Sequence, residues 1–155
     1  MYQLHRIYCA TPWELEEERR AFTGLVGNFN ETAAMKRGVL YIPVSLVANF
    51  RDKRPMQSVV NENIRSCRHY VQVLDTAPGD GWGVPERNFE RDFRLALECS
   101  ADPSLPMREV VVLLKKPPRP PAGLDGSVRV EGFVNVDEFK QQLSALFSDW
   151  LAASL

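Results

Sequence analysis

Two patterns of apolar residues alternate along the chain. In short segments, β-branched, aromatic and aliphatic residues cluster closely, which is typical of strands buried in an α/β sheet. Between these segments apolar residues recur every three or four positions, which predicts amphipathic helices. The clusters predict strands at Leu4–Ala10, Val39–Leu46, His69–Asp75 and Glu109–Leu114, with a last short strand at Ser127–Val130.

Sequence signals also predict where the helices begin. Thr11, Pro12 and Glu14 supply a threonine N-cap, a proline at the first helical position and a glutamate that closes a capping box. Asn135 and Glu138 have the same capping-box spacing. The four predicted helices therefore begin at Thr11, Pro55, Asn88 and Asn135.

The order of these elements is β-α-β-α-β-α-β-(β)-α, which predicts an α/β domain. Right-handed crossovers between such strands give a parallel sheet with helices on both faces. We therefore expect one domain over residues 1–155, a flavodoxin-like three-layer sandwich with a parallel sheet of about five strands. The strands at Ile7, Val71 and Val112 should be central or nearly so. Pro43 cannot donate to a strand ladder, which predicts an edge or a bulge there.

Composition and charge argue against several classes of protein. The formal net charge is −1 and the isoelectric point is near 6.1, so we expect neither nucleic-acid binding nor attraction to anionic membranes. The sequence contains no signal-peptide pattern and no apolar run of membrane-spanning length, so we expect a cytoplasmic protein. Cys9, Cys67 and Cys99 are far apart and lack C-x-x-C spacing, which favours small buried side chains over disulfides or a metal site.

A glycine-rich loop from Asp75 to Arg87 joins the third strand to the next helix. Ligands of parallel α/β sheets bind at the carboxyl ends of the strands, so this loop and the one after Ala10 mark the predicted site. Gly81, Trp82 and Gly83 lie in the loop, where the indole is either a stacking platform for a ligand or part of the core. No P-loop, dinucleotide-binding, zinc-protease or nucleophile-elbow motif is present, so no common mechanism is indicated.

Two acidic residues, Glu90 and Asp92, lie in the first turn of the helix after this loop. If Phe89, Phe93, Ala96 and Leu97 form the buried stripe, a rotation of about 100° per residue places the two carboxylates on opposite sides of it. Both can then border a cleft. The alternative is that they only offset the positive end of the helix dipole.

Four segments of the sequence are similar, in order, to the motifs of one family. Cys9–Arg19 is similar to S-S-T-F-x-D-L-x-x-E-R, and Asn63–Val71 to E-I-x-x-C-D-I-Y-V. Gly81–Pro85 and Phe89–Leu97 resemble a Y-G-W-x-P loop and a T-E-x-E-Y-x-x-A-L helix. These motifs resemble a TIR-like family of unknown function that is often found at the N-terminus of STAND- or NACHT-type signalling proteins. The likeness covers roughly residues 5 to 115.

This resemblance implies a TIR-like fold and, through the wider superfamily, the position of a catalytic carboxylate. The wider superfamily includes TIR domains and nucleoside deoxyribosyltransferases, some of which cleave N-glycosidic bonds with a glutamate on the helix after this strand. That position is Glu90 here or, if the spacing to Ala96 decides, Asp92. The chain departs from the family in having Cys9 and Ala10 where the motif has two serines.

Two functions are compatible with this sequence. The first is a signalling or defence domain that makes homotypic or signalling-protein contacts and senses a nucleotide. The alternative is a hydrolase or transferase of N-glycosidic bonds with NAD or a nucleoside as substrate, in which Glu90 or Asp92 stabilises or attacks an oxocarbenium-like centre. Ala10, Thr11 and Asp75 would then contact the ligand together with Gly81, Trp82 and Gly83. We expect no metal; the sequence assigns no cofactor, and NAD enters as a substrate of the alternative function.

Overall fold

The fold is taken from a computed structural model that describes residues 1–45, 56–75, 82, 88–115, 124 and 126–154. A π-helical turn at Asn30–Ala34 and a 3₁₀ turn at Met35–Arg37 carry the chain from the first helix to the second strand. The strands are β1 (Gln3–Ala10), β2 (Val39–Val44), β3 (His69–Asp75), β4 (Glu109–Lys115) and β5 (Arg129–Phe133), and the helices are α1 (Glu16–Phe29), α2 (Gln57–Ser66), α3 (Phe89–Ala101) and α4 (Val136–Ala153).

The five strands form one parallel sheet in the order β2-β1-β3-β4-β5. This is the flavodoxin-like strand order, so the predicted fold class is confirmed. The strands that contain Ile7, Val71 and Val112 are the three inner strands, as predicted. Pro43 lies in β2 at the edge of the sheet, where a missing N–H donor is tolerated.

Each face of the sheet is covered by two helices. On one face, Phe22 of α1 and Phe147 of α4 pack over Ile7 and Val71. On the other face, α2 and α3 cover a second core that includes the stacked rings of Tyr8 and Tyr70. The two cores give the three-layer arrangement that the alternating strands and helices predict.

The prediction that the first helix begins at Thr11 is wrong. Helix α1 begins at Glu16, and its N-cap residue, Leu15, makes no side-chain capping bond. The backbone N–H of Leu15 donates instead to the carbonyl of Pro12 at 3.0 Å, which closes a turn between β1 and α1. Thr11 is buried at the end of β1, and its hydroxyl lies 3.3 Å from the Cys9 sulfur. The hydroxyl therefore belongs to the end of the strand and not to a helix cap.

The capping box at the start of α4 is confirmed. Asn135 is the N-cap residue, and its Oδ1 accepts a hydrogen bond from the backbone N–H of Glu138 at 2.9 Å. The Glu138 carboxylate in turn accepts from the backbone N–H of Val134 at 3.1 Å. Two backbone donors at the helix start are thus satisfied by side chains.

Other boundaries also differ from the prediction. Strand β2 ends at Val44, whereas Leu46 lies outside the described residues. The last strand spans Arg129–Phe133 instead of Ser127–Val130, since the paired segment starts two residues later. The start of α2 is Gln57, whereas Pro55 lies outside the described residues. Across the described part of the chain, no helix is long and apolar enough to cross a membrane.

Candidate functional site

The strand order reverses at the carboxyl ends of β1 and β3. From this point β1 leads to α1 on one face of the sheet, whereas β3 leads to α3 on the other. Ala10 is paired with Gln72, which places the ends of the two strands side by side. A crevice between diverging connections of this kind is where doubly wound sheets bind ligands. The predicted ligand-binding residues Ala10, Thr11 and Asp75 all lie at this edge.

A buried polar side chain, Gln72, joins the two strands close to this switch point. Its Oε1 accepts a hydrogen bond from the Tyr70 hydroxyl at 2.7 Å, and its Nε2 donates to the Ala10 carbonyl at 3.3 Å. Gln72 is fully buried, and Tyr70 stacks on Tyr8 with 5.4 Å between ring centroids. Buried amides are retained where their hydrogen bonds are satisfied, so Gln72 fixes the relative position of the β1 and β3 ends.

The carboxylate of Asp92 lies under α2 and not at the protein surface. Asp92 is 3% exposed, and its Oδ1 accepts a hydrogen bond from Gln57 Nε2 at 2.8 Å. The same amide nitrogen donates to Asn61 at 2.9 Å, and Asn88 Nδ2 donates to Gln57 Oε1 at 3.2 Å. Asp92, Gln57, Asn61 and Asn88 therefore form one polar cluster, which we call the Asp92 cluster, between the first turns of α2 and α3.

The backbone at Asn88 contributes to this arrangement. Asn88 adopts a left-handed conformation with φ of 57°, which asparagine tolerates better than most residues. Its carbonyl accepts the N–H of Asp92 at 2.9 Å and so forms the first turn of α3. This geometry fixes the direction in which the Asp92 side chain leaves the helix.

Glu90 has a different environment from Asp92. Its side chain is 41% exposed and lies 3.5 Å from the Arg94 guanidinium, one helical turn further along. The buried side of α3 is formed by Asp92, Phe93, Ala96 and Cys99, so the helix is rotated relative to the stripe that the sequence suggested. Asp92 therefore lies on the buried side itself, whereas Glu90 faces solvent.

Trp82 is part of the core on the α2/α3 face. It is 4% exposed, and its ring lies 5.0 Å from that of Phe93. Of the two roles considered for this indole, packing against the core matches its burial. Its neighbours Gly81 and Gly83 lie outside the described residues.

An ion pair lies at the same edge on the opposite face of the sheet. The Lys115 ammonium at the end of β4 is 3.3 and 3.4 Å from the two carboxylate oxygens of Glu18 in α1. The Glu18 side chain is 3% exposed and that of Lys115 is 22% exposed. Lys115 is paired with Asp75 in the sheet, so the pair lies close to the predicted site.

The buried thiols are not suited to nucleophilic catalysis. Burial raises the pKa of Cys9 to about 12, against a smaller opposing effect of the hydrogen bond with Thr11. Burial likewise raises the pKa of Cys67 to about 12. Both thiols stay protonated at neutral pH, and the thiolate is the reactive form. No group of three or more metal-ligating side chains occurs among the described residues.

Sequence reasoning missed several members of the site. Gln72 had a usable signal, since it is a polar residue inside an otherwise apolar strand. Gln57 and Asn88 gave no such signal, because a polar residue near the start of a helix is ordinary. The Glu18–Lys115 pair joins residues that are 97 positions apart, and spacing along the chain does not reveal it.

No protein-family model matches the chain, and no curated protein matches its sequence. Among solved structures, the chain is similar to homoserine dehydrogenase of S. aureus, with a TM-score of 0.48 and 12% sequence identity. The match covers 85% of this chain and 33% of that enzyme. The fold assignment rests on the strand order and not on this likeness.

Proposed function

We propose that this chain is a TIR-like signalling or defence module that binds a nucleotide or nucleoside in the crevice between β1 and β3. The observation that carries the proposal is the Asp92 cluster, which holds a buried carboxylate beside the carboxyl edge of the sheet. Side chains that are buried, polar and mutually hydrogen-bonded at this edge are typical of binding sites.

The chemistry of the cluster suits a ribose. A carboxylate accepts hydrogen bonds from sugar hydroxyls, and the amides of Gln57 and Asn88 can both donate and accept. The stacked rings of Tyr8 and Tyr70 lie in the core on the same face of the sheet as the cluster. The proposal does not require Trp82 to stack on a base, because that ring packs on Phe93.

The alternative function is cleavage of an N-glycosidic bond by Asp92. Its support is that the Asp92 carboxylate is buried, whereas the Glu90 side chain is 41% exposed. In that reaction the carboxylate would stabilise positive charge at the anomeric carbon, or attack it, while the base departs. Water would then complete hydrolysis, and a second nucleoside base would complete transfer.

Binding is tested by calorimetric titration of the purified protein with NAD, adenosine and a panel of other nucleosides. Asp92→Asn removes the charge at nearly constant volume, and Glu90→Gln is the matched control on the same helical turn. We expect Asp92→Asn to weaken binding about tenfold or more, since hydrogen bonds to a charged group are the stronger kind. Glu90→Gln should change it less than about twofold.

Two outcomes would contradict the proposal. One is the absence of binding at millimolar concentrations of every ligand in the panel. The other is an equal loss in both variants, because Glu90 lies outside the cluster.

A further inference from the structure

A second group of polar side chains lies at the opposite, amino-terminal edge of the sheet. His5 of β1 is paired with Tyr41 of β2, and His69 of β3 is paired with Ile7. The three polar rings lie on the face covered by α1 and α4. The ring centroids of His5 and Tyr41 are 5.4 Å apart, and those of Tyr41 and His69 are 6.3 Å apart. We call these three residues the amino-edge cluster.

Four side-chain polar atoms of this cluster are buried without a hydrogen-bond partner in the described part of the chain. His5 is 4% exposed, Tyr41 is 2% exposed and His69 is 4% exposed. Among the described residues, nothing hydrogen-bonds to His5 Nδ1, Tyr41 Oη or either ring nitrogen of His69. Such groups are rare in folded proteins, because each loses its contact with water and gains nothing in return. Their concentration in one place points to an occupant that supplies the missing bonds.

The charge around the cluster is positive. Burial lowers the pKa values of His5 and His69, and the nearby Arg68 charge lowers both further, with a smaller contribution from Arg108 at His69. At Tyr41, burial raises the pKa to about 12 against a smaller opposing effect of Arg68. Arg68 is partly exposed and has no ion-pair partner in the described ranges. Among the described residues, the Arg108 guanidinium donates only to backbone carbonyls, at 3.0 and 3.2 Å, and no carboxylate there neutralises its charge.

One carboxylate lies nearby but is already engaged. Glu109 is paired with His69 in the sheet, and its Oε2 accepts the indole N–H of Trp150 at 2.6 Å. The Trp150 ring stacks on His69 with 4.0 Å between centroids and covers one side of the cluster. Phe29 packs against Tyr41 and encloses it further. These rings enclose the cluster, so an occupant must be small.

We propose that the amino-edge cluster with Arg68 binds a small oxyanion of the phosphate class. Burial keeps both imidazoles neutral, so each supplies one N–H donor, and the Tyr41 hydroxyl supplies a third. Arg68 adds a charged donor that matches phosphate geometry. A cation does not fit, because the positive charge of Arg68 and Arg108 opposes it and the described residues offer no group of three ligating side chains.

The test uses the imidazole signals of the intact chain, which contains only two histidines. Inorganic phosphate is titrated at constant ionic strength, with chloride as the reference anion, while the Cε1–H signals are recorded by NMR. We expect saturable shifts of both signals with phosphate and none with chloride. Glycerol phosphate forms a second arm. Its binding would show that the site admits a phosphomonoester, whereas binding of phosphate alone would identify the free ion.

Two variants make the test specific. Tyr41→Phe removes one donor and leaves the ring, and Arg68→Gln removes the charged donor. Each should weaken phosphate binding about tenfold or more. Arg65→Gln, an exposed arginine on α2, is the matched control and should leave the affinity unchanged. If phosphate causes no saturable shift up to tens of millimolar, or if neither variant alters the titration, the site does not exist.

Discussion

Asn30 forms two reciprocal hydrogen bonds with the backbone of Tyr41. Its Oδ1 accepts the Tyr41 N–H at 2.8 Å, and its Nδ2 donates to the Tyr41 carbonyl at 2.8 Å. Tyr41 lies on β2, whose outer side has no neighbouring strand among the described residues. The asparagine amide therefore acts as a one-residue substitute for a strand at this edge. The π-helical turn that begins at Asn30 brings the amide to this position.

Replacing Asn30 with alanine should destabilise the fold. Both hydrogen bonds are lost and two backbone groups of a buried residue are left unpaired, so we expect a decrease of about 2–4 kcal/mol in the free energy of unfolding. Asn28→Ala is the matched control, because Asn28 is an exposed residue at the end of α1, two positions before Asn30. Its effect should stay within about 0.5 kcal/mol. Urea unfolding measures both, and equal effects would contradict a specific role for Asn30.

The stability of the fold should fall as the solution becomes acidic. Burial lowers the pKa of His69 to about 3, with smaller contributions from Arg68, His5 and Arg108, whereas an unfolded histidine titrates near 6.5. Between these two values the unfolded state binds the additional proton. Stability is therefore retained above about pH 6.5 and lost as the pH falls toward 3, by up to about 1.4 kcal/mol per unit.

Urea unfolding at pH 7 and pH 5 in phosphate-free buffers measures this dependence. His69→Gln removes the titrating group, so its stability should change less between the two pH values than that of the original chain. An unchanged pH dependence in the variant would show that other groups dominate acid destabilisation.

The buried Glu18–Lys115 pair should be costly to break on one side only. Lys115→Met leaves a carboxylate that is 3% exposed without its ammonium partner, and we expect a loss of about 3–5 kcal/mol. The double variant Glu18→Leu with Lys115→Met should recover part of that loss, because no buried charge remains. The exposed pair of Glu16 and Arg20 is the control, and breaking it should cost less than about 1 kcal/mol. Additive losses in the double variant would contradict coupling.

If the domain hydrolyses N-glycosidic bonds, Asp92 is the group that turnover requires. Release of nicotinamide from NAD, or of free base from nucleosides, should fall by about two orders of magnitude or more in Asp92→Asn. Glu90→Gln should retain most of the activity, since that side chain faces solvent beside Arg94. Chromatographic detection of the released base distinguishes these results. Loss of activity in Glu90→Gln alone would contradict the assignment to Asp92 and place the reaction on the exposed side of α3.

Much of the sheet could be predicted because its strands are apolar on both faces. The continuous apolar run of β4, and that of β3 apart from Gln72, specifies burial without any knowledge of neighbours, and the alternation with helices then specifies parallel pairing. The cap at Asn135 was predictable for a similar reason, since its hydrogen-bond partners lie within four residues. These features depend on residues that are close together in the sequence.

Features that depend on distant partners could not be predicted. Thr11 had every local signal of a helix cap, yet the contact of its hydroxyl with Cys9 and the turn closed by Leu15 decided its role. The apolar pattern of α3 did not reveal that Asp92 belongs to its buried side, because Gln57 supplies the partner that makes this burial tolerable. The burial of a polar residue depends on its tertiary contacts, and local sequence patterns do not reveal those contacts.

Because all three thiols are buried, the rate at which they react reports whether the domain is folded. Cys9, Cys67 and Cys99 are each at most 2% exposed, and between them they belong to both cores. A thiol-reactive dye can modify them only after the layers separate, so its rate of incorporation should follow the opening of the domain. Modification of Cys9 would report on the α1/α4 layer, and modification of Cys67 or Cys99 on the α2/α3 layer. Mass spectrometry of the labelled peptides would then show which half of the sandwich opens first.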